Sequence, residues 1–212
     1  MPSKSDLAVE AIGKQQLYLR MTWIAVALLL GVASAPAQAA GQRQSPDLHS
    51  PVIAVTYDLE RAKVAAIGGS DFWLQGGGVD IAVPFYKGLS IAGSFSGEHA
   101  SNIQPGVDLG KLSYLAGPRY TFNTPHVAIF GEGLFGGAHG FDSIFPVAGG
   151  STPAANSFAM QIGGGMDIPL HKGFGIRAFE VDYVRTGLPN NGSNTQSDLR
   201  LAFGFSYHFG RK

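Results

Sequence analysis

The stretch from Ser197 to Gly210, SDLRLAFGFSYHFG, alternates without a break. Leu199, Leu201, Phe203, Phe205, Tyr207 and Phe209 fall on one side of a period-two strand, with Asp198, Arg200, Ala202, Gly204, Ser206 and His208 on the other. A helix would scatter both sets around its circumference, so the segment is extended and two-faced. The same division recurs in SFAMQIGGGMDIPL. There Phe158, Met160, Ile162, Met166, Ile168 and Leu170 alternate with Ala159, Gln161, Gly163, Gly165 and Asp167. It recurs in KLSYLAGPRYTF, where Leu112, Tyr114, Ala116, Tyr120 and Phe122 oppose Lys111, Ser113, Gly117, Arg119 and Thr121. Segments 52–60, 72–83 and 89–98 follow the pattern less fully. Two others are ambiguous. In 174–186, Arg177 and Glu180 have opposite parity, which needs either a bulge or an Arg177 turned outward. In 127–139, an inward Glu132 also turns Phe130 and Leu134 inward.

Eight strands with almost no helical pattern between them make an all-β chain. Their connections come in two alternating kinds. Segments 84–88, 123–125 and 171–173 are short, while 61–71, 99–109, 140–156 and 187–196 are long and rich in Gly, Ser, Asn and Pro. Tight turns at one end and long loops at the other describe an eight-stranded antiparallel up-and-down β-barrel. Which face is outside decides the class. A soluble barrel needs a charged, hydrated exterior, but charged residues are only 14% of this chain, against a typical 25% or so. The non-apolar face is mostly Gly, Ala and Ser with a few charges, a filling suited to a narrow lumen. Leucines and aromatics therefore face lipid, and the barrel is transmembrane. Residues expected in a polar lumen network are Asp80, Arg119, Glu132, Asp167, Glu180, Asp182 and Arg200, with Asp58, Glu60, Glu98, Lys111 and Asp198 also turned inward. Tyr57, Trp73, Tyr120, Tyr183, Tyr207 and Phe209 are expected in an interfacial aromatic girdle.

The amino-terminal region has a different logic. Lys14 and Arg20 precede TWIAVALLLGVASA, and Ala37-Gln38-Ala39 follows as a small-residue exit. This reads as a secretory signal peptide over 1–39, cleaved before a short periplasmic segment at 40–50 and the barrel at 51–212. Translation from Met21 would leave out both basic residues. The apolar run is too short to span about 30 Å of hydrocarbon. After Ala39 there are 12 Lys plus Arg and 13 Asp plus Glu, a balance that does not recruit nucleic acid. The absence of cysteine removes disulfides, thiolate chemistry and Cys-ligated zinc. The expected destination is the cell outer membrane.

VAIFGEGLFGGAHG contains Gly131, Gly133 and Gly136 at G-x-G-x-x-G spacing after an apolar run. A dinucleotide fingerprint needs a helix to begin there and an acid about twenty residues on. The chain instead continues through Gly137, Gly140, Pro146, Gly149, Gly150 and Pro153, so these are read as barrel glycines and no cofactor is expected. His49, His126, His139, His171 and His208 lack paired metal-ligand spacing. His99 stands near Ser96 and Ser101 with Glu98 adjacent, but neighbours in a strand alternate faces and no nucleophile-elbow motif is present. No catalytic residue is expected. Asn191-Gly192-Ser193 has the form of a glycosylation sequon and reads as a turn.

The signal, GPRYTF at 117–122, FEVDYVRT at 179–186 and the final LRLAFGFSYHF together resemble the small eight-stranded outer-membrane β-barrel superfamily, which includes the OmpA transmembrane domain, OmpX and Ail. The resemblance covers about 51–210 and is specific for architecture, because such motifs mark strands. It implies residence among outer-membrane lipids of a Gram-negative envelope. It also implies insertion by the barrel-assembly machinery, which reads an aromatic-rich last strand; here the chain runs on through Gly210, Arg211 and Lys212. Cell-wall anchoring is not carried over. Enzymes on this architecture include acyl-transfer and lipid-A-trimming proteins that use a His and a Ser. The expected function is a non-enzymatic structural or surface-interaction role through the extracellular loops. A narrow porin-like channel and a lipid-modifying enzyme are the alternatives.

Overall fold

The computed structural model describes residues 50–63, 71–104, 106–190 and 194–209. The signal peptide read at 1–39, the segment that follows it up to Ser50, the sequon-like Asn191 to Ser193 and the residues after Phe209 lie outside that set. Among the described residues ten strands form in chain order: β1 (Val52–Lys63), β2 (Asp71–Tyr86), β3 (Leu89–Gln104), β4 (Val107–Asn123), β5 (Ala128–Phe141), β6 (Phe145–Val147), β7 (Gly150–Thr152), β8 (Ala155–Pro169), β9 (Phe174–Thr186) and β10 (Gln196–His208). Eight of them close into a barrel in the order β1-β10-β9-β8-β5-β4-β3-β2, while β6 and β7 make a separate hairpin. Every pairing is antiparallel. The seam joins Val52 to His208 and continues to Arg61 opposite Leu199. Closure leaves no barrel strand with an unpaired edge.

Two of the short turns share a dipeptide. Lys87–Gly88 and Lys172–Gly173 each hold two successive positive φ angles, 35° and 87° in the first and 50° and 84° in the second. That is the requirement of a type I′ hairpin turn, whose twist matches the flanking strands. The third turn is held by Thr124, whose Oγ1 donates to the Val127 carbonyl at 2.8 Å and accepts from the Val127 N–H at 3.0 Å.

At the other end the strands run further than alternation suggests. Segment 99–109 reads as a loop, yet β3 continues to Gln104 and β4 starts at Val107, with a register shift between Ala100 and Gln104. Past Ala100 the pairing resumes only at Gln104 opposite Val107. Within 140–156, the β6–β7 hairpin pairs Phe145 with Thr152.

The two ambiguous strands resolve on one device and one filling. Ala202 faces Glu180 but Gly204 faces Arg177, and on the other side Met166 faces Phe179 while Asp167 faces Arg177. One extra residue, Ala178, therefore sits in β9 as a bulge, and both Arg177 and Glu180 reach the interior. In β5, Phe130, Glu132 and Leu134 all face inward and are buried. The glycines of the G-x-G-x-x-G spacing lie within this strand and open no helix. A Cβ on Gly136 would collide with the Tyr114 carbonyl, and one on Gly163 with Asp182 Oδ1 and the Val181 carbonyl. Glycine is required at both by close approach of the next strand.

Candidate functional site

The inward faces of β1–β5 and β8–β10 converge on a buried polar column. Arg177 is at its centre. Its Nη1 donates to Asp80 Oδ2 at 2.5 Å and to Glu180 Oε2 at 2.8 Å, and its Nε donates to Asp167 Oδ1 at 2.9 Å. Arg119 bonds Glu132 through Nε at 2.5 Å, and Gln161 Nε2 donates to the other oxygen of Glu132 at 3.0 Å. The Phe130 ring lies between these two cations, 4.4 Å from the Arg119 guanidinium carbon and 4.6 Å from that of Arg177. Arg200 donates from Nε and Nη2 to Asp182 Oδ2 at 3.1 and 2.9 Å, and stands 3.6 Å from Glu180 Oε1 and 3.9 Å from Asp58 Oδ2. Nearer the long-loop end, Lys111 reaches from β4 to Glu60 on β1. Ala62, Leu74 and Ala100, with Phe72, Ile103 and Leu109 against them, form an apolar cluster from the long-loop ends of β1–β4.

Among the described residues nine carboxylates are buried, Asp58, Glu60, Asp80, Glu98, Glu132, Asp167, Glu180, Asp182 and Asp198, beside four cations, Lys111, Arg119, Arg177 and Arg200. Each cation therefore serves several acids, and losing a base differs from losing an acid. Neither oxygen of Asp58 or of Glu98 accepts a hydrogen bond of good geometry. Glu132, Glu180 and Asp182 bring carboxylate oxygens within 4.8 Å of one another. Arg119, Arg177 and Arg200 bond those same groups, so the chain supplies the cations of this trio.

The structure places all seven residues of the expected network in this column, and it adds Arg177, Phe130 and Gln161. Parity left Arg177 open between a bulge and an outward turn, and the bulge at Ala178 decides for the interior. Phe130 stayed ambiguous because an aromatic on the polar face looks like an exception until its two guanidinium partners are seen.

The outer face is the reverse. Glu180 and Asp182 are 0% exposed, whereas Phe205 and Phe158 are exposed by 61% and 63%. Tyr57, Trp73, Tyr120, Tyr183 and Phe209 point outward and are exposed, and Tyr207 lies between Phe174 and Phe209 at ring separations of 4.9 and 5.0 Å. Tyr120, Tyr207 and Phe209 gather at the short-turn end with Phe85, Tyr86 and Phe122. Trp73 and Tyr183 stand toward the long loops, where the Tyr183 hydroxyl is 2.8 Å from Ser197 Oγ. Tyr57, nearer mid-barrel, donates from its hydroxyl to Gln75 Oε1 at 2.7 Å. No described helix is long and apolar enough to cross a membrane, which says nothing of strands.

The His and Ser group of β3 divides between faces. Ser96 and Glu98 are buried inside. His99 and Ser101 share the outer face, with His99 Nε2 3.1 Å from Ser101 Oγ.

No family model matches the sequence, and no curated protein matches it. Solved structures do share the fold. The crystal structure of Ail, the attachment invasion locus protein of Yersinia pestis, superposes with a TM-score of 0.54 at 21% identity over 76% of this chain and 99% of that one. Neisserial surface protein A (NspA) gives a TM-score of 0.56 at 16% identity over 74% and 97%. At these identities the likeness is one of fold, and the fold is that of small eight-stranded outer-membrane barrels.

Proposed function

We propose that this chain is an outer-membrane barrel of a Gram-negative envelope whose lumen is a structural plug and whose role is surface interaction at its extracellular, long-loop end. The observation that carries the reading is the inversion of the molecule: paired charges inside, aromatics and branched apolars outside. In water such an exterior is an aggregation surface, and in hydrocarbon it is the required one. A strand crosses hydrocarbon with roughly 9–11 residues. β2, β3 and β4 have 16, 16 and 17, so they run past the hydrocarbon by roughly five residues in all, about 15 Å measured along the strand. The β6–β7 hairpin adds exposed apolar side chains there, Val147 beside its turn and Ile144 at its base.

The filled lumen favours a plug over a narrow channel, because each buried cation is bonded to carboxylates from neighbouring or facing strands. Export through a cleaved signal, insertion by the barrel-assembly machinery through β10 and contact with outer-membrane lipids belong to the same proposal. To test it, a deletion strain is complemented with the full chain or with one lacking 143–154. Surface attachment restored only by the full chain, with solute uptake equal throughout, is expected. Uptake that falls with deletion while attachment is unchanged would replace this reading with the channel.

A further inference from the structure

We propose that the short-turn end of the barrel holds the phosphate headgroups of anionic glycerophospholipids at two equivalent sites, each made of a Lys-Gly turn tip and the tyrosine of the strand beside it. The first is Lys87 and Gly88 with Tyr120, the second Lys172 and Gly173 with Tyr207. This goes beyond the loop reading and rests on the placement of the barrel in the outer membrane. The two sites belong to an internal repeat. Gly76-Gly77-Gly78-Val79-Asp80-Ile81 on β2 is matched by Gly163-Gly164-Gly165-Met166-Asp167-Ile168 on β8. Each run leads to a proline, Pro84 or Pro169, and then to a Lys-Gly dipeptide three residues on. Tyr120 and Tyr207 stand equally far along the chain from the two glycine runs.

The repeat holds in space. The Thr121 N–H donates to the Gly88 carbonyl at 2.8 Å, and the His208 N–H donates to the Gly173 carbonyl at 2.8 Å. Each turn is thereby bonded to the residue that follows its tyrosine. A Cβ on Gly88 would stand 3.3 Å from Tyr120 Cε2 and 3.6 Å from its Cζ, and one on Gly173 would stand 3.2 and 3.5 Å from the same atoms of Tyr207. Both phenol rings therefore lie against the turn tips, with their hydroxyl-bearing carbons at the Lys-Gly backbone. Lys87, Lys172 and Tyr120 are exposed and Tyr207 is half-buried. Lys87 Nζ lies 5.3 Å from the centroid of the Tyr86 ring.

Turn geometry does not ask for lysine. The first central position of a type I′ turn favours Asn, Asp or Gly, because an ordinary side chain is strained at positive φ. Both tips nevertheless place lysine there, at φ of 35° and 50°. The surrounding charge is one-sided. Segments 84–89, 123–127 and 169–174 contain Lys87, His126, His171 and Lys172 and no Asp or Glu. Among the described residues every exposed acid, Asp71, Asp108 and Asp142, stands at the long-loop end.

The depth and the sign of this charge define the occupant. Phe85 and Tyr86 immediately precede the first tip, and Phe174 and Tyr207 flank the second, in the aromatic belt that marks headgroup depth. An ammonium just past that belt lies at the level of the phosphates, and turns of two residues extend no arm toward a polymer beyond them. Phosphate oxygens accept from the lysine ammonium and from the tyrosine hydroxyl, while the acyl chains run along the apolar wall. A zwitterionic headgroup would bring its own ammonium to a rim with no carboxylate to receive it. The favoured lipid therefore has net negative charge.

The test uses the full folded protein in detergent micelles, titrated with phosphatidylglycerol or phosphatidylcholine, with bound lipids counted by native mass spectrometry. Two tight phosphatidylglycerol binding events are expected, both weakened by salt, and phosphatidylcholine should bind more weakly at each. Lys87→Asn and Lys172→Asn should each weaken one event by roughly fivefold, and the double variant should weaken both. Asparagine suits the left-handed position, so urea unfolding of these variants should show no loss of stability. Tyr120→Phe and Tyr207→Phe keep the ring without the hydroxyl, and each should weaken its own event by a smaller factor. Arg185→Gln removes an exposed cation at the other end of the barrel and should change neither event. Equal retention of the two lipids, undiminished retention in the double Asn variant, or an equal loss with Arg185→Gln overturns the sites. Sedimentation with purified peptidoglycan that depends on Lys87 and Lys172, with phosphatidylglycerol retention independent of them, would replace the lipid with the polymer. Gel mobility with and without boiling separates two kinds of failure. A heat-modifiable barrel that gives any of these contrary results overturns the lipid sites alone. A protein that never forms one overturns the membrane reading with them.

Discussion

Replacing Arg177 with Met removes the guanidinium and keeps an unbranched stem beside Phe130. Three carboxylates lose a partner: Asp80, Glu180 and Asp167, bonded at 2.5, 2.8 and 2.9 Å. Hydrogen bonds to charged groups contribute about 1.5–3 kcal/mol each, so simple addition gives roughly 5–9 kcal/mol. Two acids find partial relief, since Arg119 stands 4.0 Å from Asp80 and Arg200 3.6 Å from Glu180. Asp167 has no second basic partner within ion-pair distance among the described residues. The net loss is therefore about 3–5 kcal/mol, the cost of breaking one buried pair. Asp58→Asn is the contrast. Its oxygens accept no well-formed hydrogen bond and its nearest cation is 3.9 Å away, in a lumen already rich in acids, so the change is expected within about 1 kcal/mol of wild type. Equilibrium urea unfolding in lipid vesicles, followed by Trp73 fluorescence, reads both. An Arg177→Met variant within 1 kcal/mol of wild type, or an Asp58→Asn variant as damaged as Arg177→Met, would refute the reasoning.

Combining Arg177→Met with Asp167→Asn should recover about 1–2 kcal/mol, because the stranded charge is gone; the same unfolding assay checks it through a double-mutant cycle. Deleting Ala178 removes the extra residue and leaves Arg177, Phe179 and Glu180 in simple alternation with their present partners, so the heat-modifiable form should persist; its loss on electrophoresis would show that the bulge does more than accommodate one residue. Gly163→Ala places a methyl against Asp182 Oδ1 and the Val181 carbonyl, with an expected loss of about 1–3 kcal/mol by unfolding. Purified wild type in planar bilayers should show no steady unitary conductance, and reproducible steps abolished by a Lys111 or Arg200 variant would show that the plug conducts.

Strict alternation was the readable part of the sequence. It located eight barrel strands and the face of the inward acids and bases other than Arg177, because one residue of slip would move a whole charged set into the apolar exterior. It left Arg177 between a bulge and an outward turn, because parity alone does not say whether an extra residue is present; Ala178 is that residue. The reach of β3 to Gln104 was hidden for a related reason: beyond the apolar belt neither face has to be greasy, so the extended chain continues without its signature. Glycines pointed toward a phosphate cradle when read by spacing alone. Their meaning came from the next strand, as at Gly136, where the Tyr114 carbonyl occupies the space of a side chain.

The inversion of the molecule, polar within and apolar without, is tested most directly by electrophoresis of protein from the outer-membrane fraction in detergent, with and without boiling. A faster-migrating unboiled form is expected, the mark of a closed barrel that detergent does not open, converted by boiling to the mobility of the unfolded chain. A single mobility together with recovery in the soluble fraction would contradict it, and would mean that the exposed aromatics of β10 and its neighbours are not facing lipid.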